Sequence, residues 1–336
     1  MTEGAAQRWA AGSVTTIGSL PGTDPVEAAQ LLVGELSDLA HIPELPGRGV
    51  GAEMIGRTGA LLVDLPLEVV PSGWRLASHD GRDVRRARDL LARDLDALAD
   101  AADGYVHALK VQATGPWTLA ANVELPSGHK AVSDHGATRE LAESLTVGLR
   151  AHLTEVQRRV PAARLVLQLD EPSLPAVLAG QVPTPSGYGT VGSVEATIVE
   201  QTLAAVLGIA GDGARVVHCC ADDVPVTLLR DAGANAISLD AGKLSTDRYD
   251  ALGEAVDAGV SIWLGVVPAT DADIRFDAVR DVVRRIWSEL GFAPRDAADT
   301  VVVTPACGLA GASAGYVRRV LSVLRDTGKA LVDDAA

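Results

Sequence analysis

Arg215-Val216-Val217-His218-Cys219, a helical pattern over residues 225–232, and then Ala236-Ile237-Ser238-Leu239-Asp240 make one strand–helix–strand unit. The two outer runs are short and apolar, and the middle segment repeats its apolar residues at helical spacing. Working outward from this unit, the same alternation recurs along the chain. Strands are expected at residues 14–18, 38–42, 106–112, 164–170, 215–219, 236–240, 261–266 and 300–305. Amphipathic helical segments are expected at 24–36, 139–159, 194–210, 225–232, 247–258, 276–290 and 313–326. A repeated β-then-α order implies a parallel sheet, because each strand must be followed by a crossover before its parallel neighbour forms. Eight such units on 336 residues favour a (β/α)8 TIM barrel, an α/β fold, over an open doubly wound sheet.

Residues 43–103 interrupt this rhythm. They hold Leu61-Leu62-Val63-Asp64-Leu65-Pro66 and an apolar run at 69–74, which together read as a hairpin, followed by an Arg/Asp-rich helix at 81–102. In a barrel, such a hairpin/helix insertion after the second strand belongs near the catalytic face. Residues 181–192, rich in Pro, Gly, Ser and Thr, predict a surface loop. With no internal repeat and no long linker, the expectation is a single catalytic domain over residues 1–336.

Composition narrows the function. The formal charge of -15 argues against nucleic acid as a partner, since a polyanion would be repelled. Residues 1–11 lack the apolar stretch of a signal peptide, and no apolar run reaches membrane-spanning length, so the reading is a cytoplasmic protein with no membrane partner. Three cysteines, two of them adjacent, make a poor disulfide framework and suit metal ligation in a reducing compartment.

Those cysteines fall in two segments, Val216-Val217-His218-Cys219-Cys220 and Pro305-Ala306-Cys307-Gly308-Leu309. Side chains alternate faces along a strand, so His218 and Cys220 point one way and Cys219 the other. Cys307 follows the predicted strand 300–305, and Asp240 ends the strand 236–240. Ligand-type side chains thus sit at the C-terminal ends of three predicted strands. Two thiolates, an imidazole and a carboxylate suit Zn2+, with His218, Cys220, Asp240 and Cys307 as candidate ligands. Asp240 has a second reading, as the N-cap of the helix that follows it.

The order of motifs resembles a known family. Thr15-Thr16-Ile17-Gly18-Ser19-Leu20-Pro21, Thr114-Gly115-Pro116, Gln168-Leu169-Asp170-Glu171-Pro172, His218-Cys219-Cys220 and Pro305-Ala306-Cys307-Gly308-Leu309 are similar, in the same order, to the C-terminal catalytic barrel of cobalamin-independent methionine synthase. The resemblance implies a zinc-dependent methyltransferase that methylates the thiol of homocysteine, or of a similar small thiol, to give methionine. It implies zinc on His218, Cys220 and Cys307, with Asp240 standing where the family has a glutamate one methylene longer. It further implies that Ile17, Gly18 and Ser19 bind the amino-acid carboxylate and that Asp170 contacts the substrate ammonium. Glu44 and Glu53 are candidates for a second acid of the family, Glu44 lying nearer the strand end. Glu171, beside Asp170, reads either as a substrate contact or as part of a turn before Pro172.

Two departures from the family pattern bear on the methyl donor. No counterpart of the family's N-terminal half is expected in this chain, and Gly265-Val266-Val267-Pro268-Ala269-Thr270 lacks the family's proton-donating histidine. Expelling tetrahydrofolate requires protonation of the pterin, so of the two donors the pattern allows, a methylated corrinoid protein or methyltetrahydrofolate, the first is the one that needs no such acid. Two other functions fit part of the pattern. One is zinc-dependent alkylation of a different thiol such as coenzyme M; the other is a metal-free barrel resembling uroporphyrinogen decarboxylase, or a binding protein.

Overall fold

A computed structural model describes residues 8–336. The first seven residues of the stretch read above for a signal peptide lie outside them. Ten strands are present among the described residues: β1 Leu39–His41, β2 Leu67–Val70, β3 Gly73–Leu76, β4 Ala108–Thr114, β5 Val123–Glu124, β6 Arg164–Asp170, β7 Ala214–Cys219, β8 Ala236–Asp240, β9 Ser261–Val267 and β10 Val301–Pro305. Seven of them form one parallel sheet in the order β1-β4-β6-β7-β8-β9-β10. Neighbours in the sheet follow one another in sequence with helices between, the signature of a TIM-barrel-like curled sheet. No helix among the described residues is long and apolar enough to cross a membrane.

The segment expected as the first strand does not become one. Its backbone touches both edges of the sheet at single points, Val14 bridging Val303 of β10 and Ser19 bridging Glu44 just past β1. Between those points the Ile17 carbonyl accepts hydrogen bonds from side chains, Lys110 Nζ at 2.5 Å and Gln168 Nε2 at 2.9 Å. A carbonyl engaged from the interior is lost to a ladder, which is why strand pairing fails there.

The two faces of the sheet carry different cores. Odd and even positions alternate, so Leu109, Val111, Leu167, Leu169, Val217, Ile237, Leu239, Ile262 and Leu264 face the surrounding helices in the main apolar core. The inner face is apolar only toward the N-terminal ends of the strands. There Ala108, Val166, Ala214, Val216, Ala236 and Val302 pack around Trp263, and Trp9 closes this layer edge-on to Trp263 with ring centroids 5.3 Å apart. One pleat further along the strands, the inner face becomes polar, with Lys110, Gln112, Gln168, Asp170, His218 and Ser238 all buried.

The region 43–103 differs in detail from its sequence reading. The hairpin strands are β2 and β3, paired antiparallel, and β3 continues onto β5 in a separate three-stranded sheet. Leu61-Leu62-Val63 is not a strand, because the Val63 N–H and carbonyl are both taken by Ser144 Oγ, at 2.8 and 2.7 Å. The helix Arg82–Ala101 buries Val84, Leu91, Leu95 and Leu98 and is the longest element of the crossover that parallel pairing of β1 with β4 requires. The helix read at 139–159 starts earlier, at His135, where the Asp134 carboxylate caps it through Ala137 N at 2.9 Å. The last helix runs through Ala335, beyond its expected end at 326.

Two helical glycines separate backbone propensity from packing. Gly148, in the helix His135–Arg159, lies so close to Leu61 that an added Cβ would overlap the Leu61 carbonyl oxygen, whereas Gly253, in the helix Tyr249–Asp257, faces open space. Ala is favoured over Gly in a helix by roughly 0.8–1.0 kcal/mol. Gly253→Ala is therefore expected to raise the melting temperature and Gly148→Ala to lower it, measured side by side by thermal denaturation. A stabilising Gly148→Ala would show that the contact with Leu61 is not close.

Candidate metal and substrate site

The C-terminal ends of the inner strands carry a cluster of ligand-type atoms. His218, next to last on β7, Cys220 just after that strand and Cys307 just after β10 place an imidazole nitrogen and two sulfurs within 4.8 Å of one another. Among the described residues no other group of three or more such side chains meets this way. Cys307 reaches the cluster because β10 is irregular at its end: the register slips between Thr304 and Pro305, and Ala306 crosses directly over Gly265 of β9. A side chain at residue 265 would collide with the backbone of Ala306 and with the Leu239 and Pro305 carbonyls.

The His218 ring is fixed by one nitrogen and open at the other. Its Nδ1 lies 3.0 Å from Ser238 Oγ on β8, while buried Nε2 has no hydrogen-bond partner. A buried polar atom left unpaired costs about 1–3 kcal/mol, so Nε2 is an atom in want of a partner. The two sulfurs lie 3.2 Å apart, within hydrogen-bond distance. The Cys307 thiol is held down to about 4, first by its hydrogen bond with Cys220 and then by the His218 ring, and the same sulfur contact pushes the Cys220 thiol up. Cys219, fully buried on the opposite face of β7, is raised to about 12 by burial.

Asp240 stands apart from this group. Its carboxylate accepts from Gly242 N at 2.9 Å and caps the short helix Ala241–Lys243. Glu171 is likewise committed elsewhere, accepting from the Trp117 and Thr118 amides at 2.9 and 2.7 Å and so capping the helix Pro116–Asn122. Glu53 accepts from the Gly51 and Gly56 amides at 2.9 and 3.1 Å and pairs with the Trp74 indole.

Asp170 and Glu44 remain as two buried carboxyls beside the turn Ile17-Gly18-Ser19. Glu44 lies so near Gly18 that a Cβ there would come within 2.9 Å of Oε2, and Gly308, next to Cys307, leaves the room that Ser19 Oγ occupies. The turn, the acids and the sulfur cluster are therefore contiguous. Burial raises both carboxyls, Asp170 well above the usual carboxylate range with Glu44 as the next cause, while Arg57 and Lys110 oppose the rise in Glu44. Arg57 Nε is 3.7 Å from Glu44 Oε1.

Lys110, Gln168 and Arg57 were missed in the sequence. Lys110 is fully buried, donates to Ile17 O at 2.5 Å and to Gln168 Oε1 at 2.8 Å, and is lowered to about 7 by burial. Gln168 Nε2 in turn donates to Asp170 Oδ1 at 2.8 Å. The available signal was a lysine inside the apolar run Ala108-Leu109-Lys110-Val111, on the face shared with Gln112.

A parallel TIM-barrel-like sheet with an imidazole and two sulfurs at its C-terminal end defines a class of barrel that does its chemistry at the strand ends. The family model described as "Cobalamin-independent synthase, Catalytic domain" matches residues 13–330, and the chain belongs to that family. It is a methionine synthase-like catalytic domain of a methyltransferase family. Among solved structures, a B12-independent methionine synthase from Shewanella sp. W3-18-1, in complex with selenomethionine, is similar in fold. Its TM-score is 0.66 at 13% identity, covering 97% of this chain and 99% of that one. A glycerophosphoryl diester phosphodiesterase from Silicibacter pomeroyi DSS-3 reaches a TM-score of only 0.34 at 12% identity, covering 79% of this chain and 77% of that one, too low to support an inference. No protein of curated function matches the sequence.

The thiol geometry yields a chemical test. In chelator-treated protein, Cys307 is expected to alkylate fastest, at a rate nearly flat from about pH 5 to 8, because it is already thiolate, whereas a free thiol gains reactivity up to its pKa of about 8.5. Peptide mapping by mass spectrometry after iodoacetamide reads the sites. Equal labelling of Cys219 and Cys307 would contradict the arrangement.

Proposed function

We propose that this protein is a zinc-dependent thiol methyltransferase that converts homocysteine to methionine, with His218, Cys220 and Cys307 as the zinc ligands. The observation that carries the reading is the convergence of those three donor atoms within 4.8 Å, with His218 Nε2 unpaired and its ring held from behind by Ser238. One imidazole and two thiolates are the donor set of a catalytic zinc site with three protein ligands, and the bond from Nδ1 to a neighbour is the usual support for such a histidine. Asp240 is left out of the donor set, since its carboxylate already caps the turn at Gly242. A bound zinc would keep the substrate thiol ionised at neutral pH, where the free thiol, with a pKa of about 8.5, is mostly protonated.

The rest of the site orients an amino acid. The backbone of Ile17-Gly18-Ser19 and the Ser19 hydroxyl receive the substrate carboxylate, while Asp170 and Glu44 receive its ammonium. Burial raises both acids despite Lys110 and Arg57 beside them, and an incoming ammonium would favour their charged forms. Glu171 supports the site by capping the neighbouring helix. Residues 43–103 lie by the catalytic face and contribute Arg57, which holds Glu44. Fixing thiol, carboxylate and ammonium at once aligns the sulfur for in-line attack on a methyl group. The donor is a methylated corrinoid protein, because Gly265-Val266-Val267-Pro268-Ala269-Thr270 offers no histidine to protonate a pterin.

Transfer of isotope-labelled methyl to homocysteine tests substrate and donor together. Label is expected to move from methylcobalamin and not from methyltetrahydrofolate; methylation of coenzyme M without methylation of homocysteine would replace the thiol assignment. The metal site has its own test. Cys307→Ser is expected to lose most of the bound zinc while retaining the far-UV circular dichroism of the barrel. Ser238→Ala is expected to weaken zinc binding about 10–100-fold in chelator competition, the usual size of such a support. Full zinc content in Cys307→Ser would remove the ligand set.

A further inference from the structure

A cavity of about 810 Å3 opens between the loop Arg48-Gly49-Val50 and the first half of the helix Arg82–Ala101. Its lining carries Arg48, Arg82, Arg85, Arg86, Arg88 and Arg93 against only Asp83 and Asp89. The chain as a whole carries a formal charge of -15, so this is a local reversal of sign. Helix stability does not account for it: the buried face of the helix is apolar apart from Asp94, and Arg82, Arg86 and Arg93 recur on another face at spacings of one and two turns, where like charges repel.

Several of these guanidinium groups are held in place before any ligand arrives. Arg86 donates to the Arg48 and Val50 carbonyls at 2.9 and 3.0 Å, Arg85 to the Asp80 carbonyl at 2.8 Å, and Arg48 pairs with buried Asp94 at 2.7 Å. Arg48 is spent on Asp94 and the Leu45 carbonyl, and Arg88 on Asp80 and the Ala60 carbonyl, but Arg85 and Arg86 keep N–H donors to spare, and fixed groups lose less entropy on binding. Arg82 and Arg93 have no such duty. The only ion pair of Arg82 is with its neighbour Asp83 at 3.7 Å, and Arg93 has no hydrogen bond or ion pair with a described residue.

We propose that this pocket binds a compact polyanion, a small molecule bearing two or more phosphate or carboxylate groups. The volume lies within the roughly 300–1,000 Å3 of small-molecule sites. The guanidinium groups of Arg82, Arg85, Arg86 and Arg93 together exceed what one anionic group can engage, and planar bidentate recognition of phosphate or carboxylate is what arginine does best. A long nucleic acid is excluded by the charge of the remaining surface.

Isothermal titration of the full chain at low salt, with sodium tripolyphosphate in one arm and citrate in the other, tests the site. Saturable one-to-one binding is expected to at least one probe, falling steeply with added salt. The arm with the higher affinity distinguishes a polyphosphate from a polycarboxylate ligand. In Arg82→Ser/Arg93→Ser the affinity is expected to fall by about tenfold or more, and Arg93→Ser alone, at an exposed position, provides a second variant with minimal risk to the fold. Absence of saturable binding to both probes, or equal affinity in the variants, would overturn the proposal. Neither result depends on zinc or on methyl transfer.

Discussion

A lysine side chain with no exposed surface sits at the centre of the inner face of the sheet, and the site is built around it. Removing a cation from water is tolerated only where its hydrogen bonds and charge are met. Lys110 meets them with the Ile17 carbonyl, Gln168 Oε1 and the nearby charges of Asp170 and Glu44. Each partner is thereby fixed. The Ile17 carbonyl is drawn inward, which denies residues 14–18 a place in the ladder and leaves Ile17-Gly18-Ser19 as a turn facing the strand ends. Gln168 passes the constraint to Asp170.

The division of the inner face into two layers gives this network its position. Ala, Val and the Trp9–Trp263 pair fill the N-terminal end, so the buried polar layer lies toward the C-terminal end. Strand alternation then places Gln168, Asp170, His218 and Ser238 on one side without any loop having to carry them. Side chains on paired strands are held more firmly than side chains on loops, so His218 and Ser238 give a fixed edge against which Cys220 and Cys307, just past the ends of β7 and β10, are set.

A second line of charge runs outward from the same place. Glu44 faces Arg57, Arg57 pairs with Asp94, and Asp94 pairs with Arg48 at the rim of the arginine-lined cavity. Asp94 has no exposed side-chain surface, and both arginines are nearly as buried. Loss of one member would strand a buried charge, so the loop at Arg48, the helix Met54–Gly59 and the helix Arg82–Ala101 are tied to the site as one electrostatic unit.

The sequence by itself determined most of the repeated strand–helix order and that His218, Cys220 and Cys307 lie at the same end of the sheet. Period-two and period-3.6 patterns are local, and soft ligands two residues apart on a strand announce their shared face. Sequence spacing could not decide which carboxylates face the site. Asp240, Glu171 and Glu53 each end near a run of free backbone amides, at Gly242, at Trp117 and Thr118, and at Gly51 and Gly56, and those amides claim them. Glu44 and Asp170 are free of such claims and meet Lys110, whose partners come from segments 58 and 93 residues away. Only the tertiary structure brings those segments together, because a buried charge is satisfied by whatever lies beside it in space.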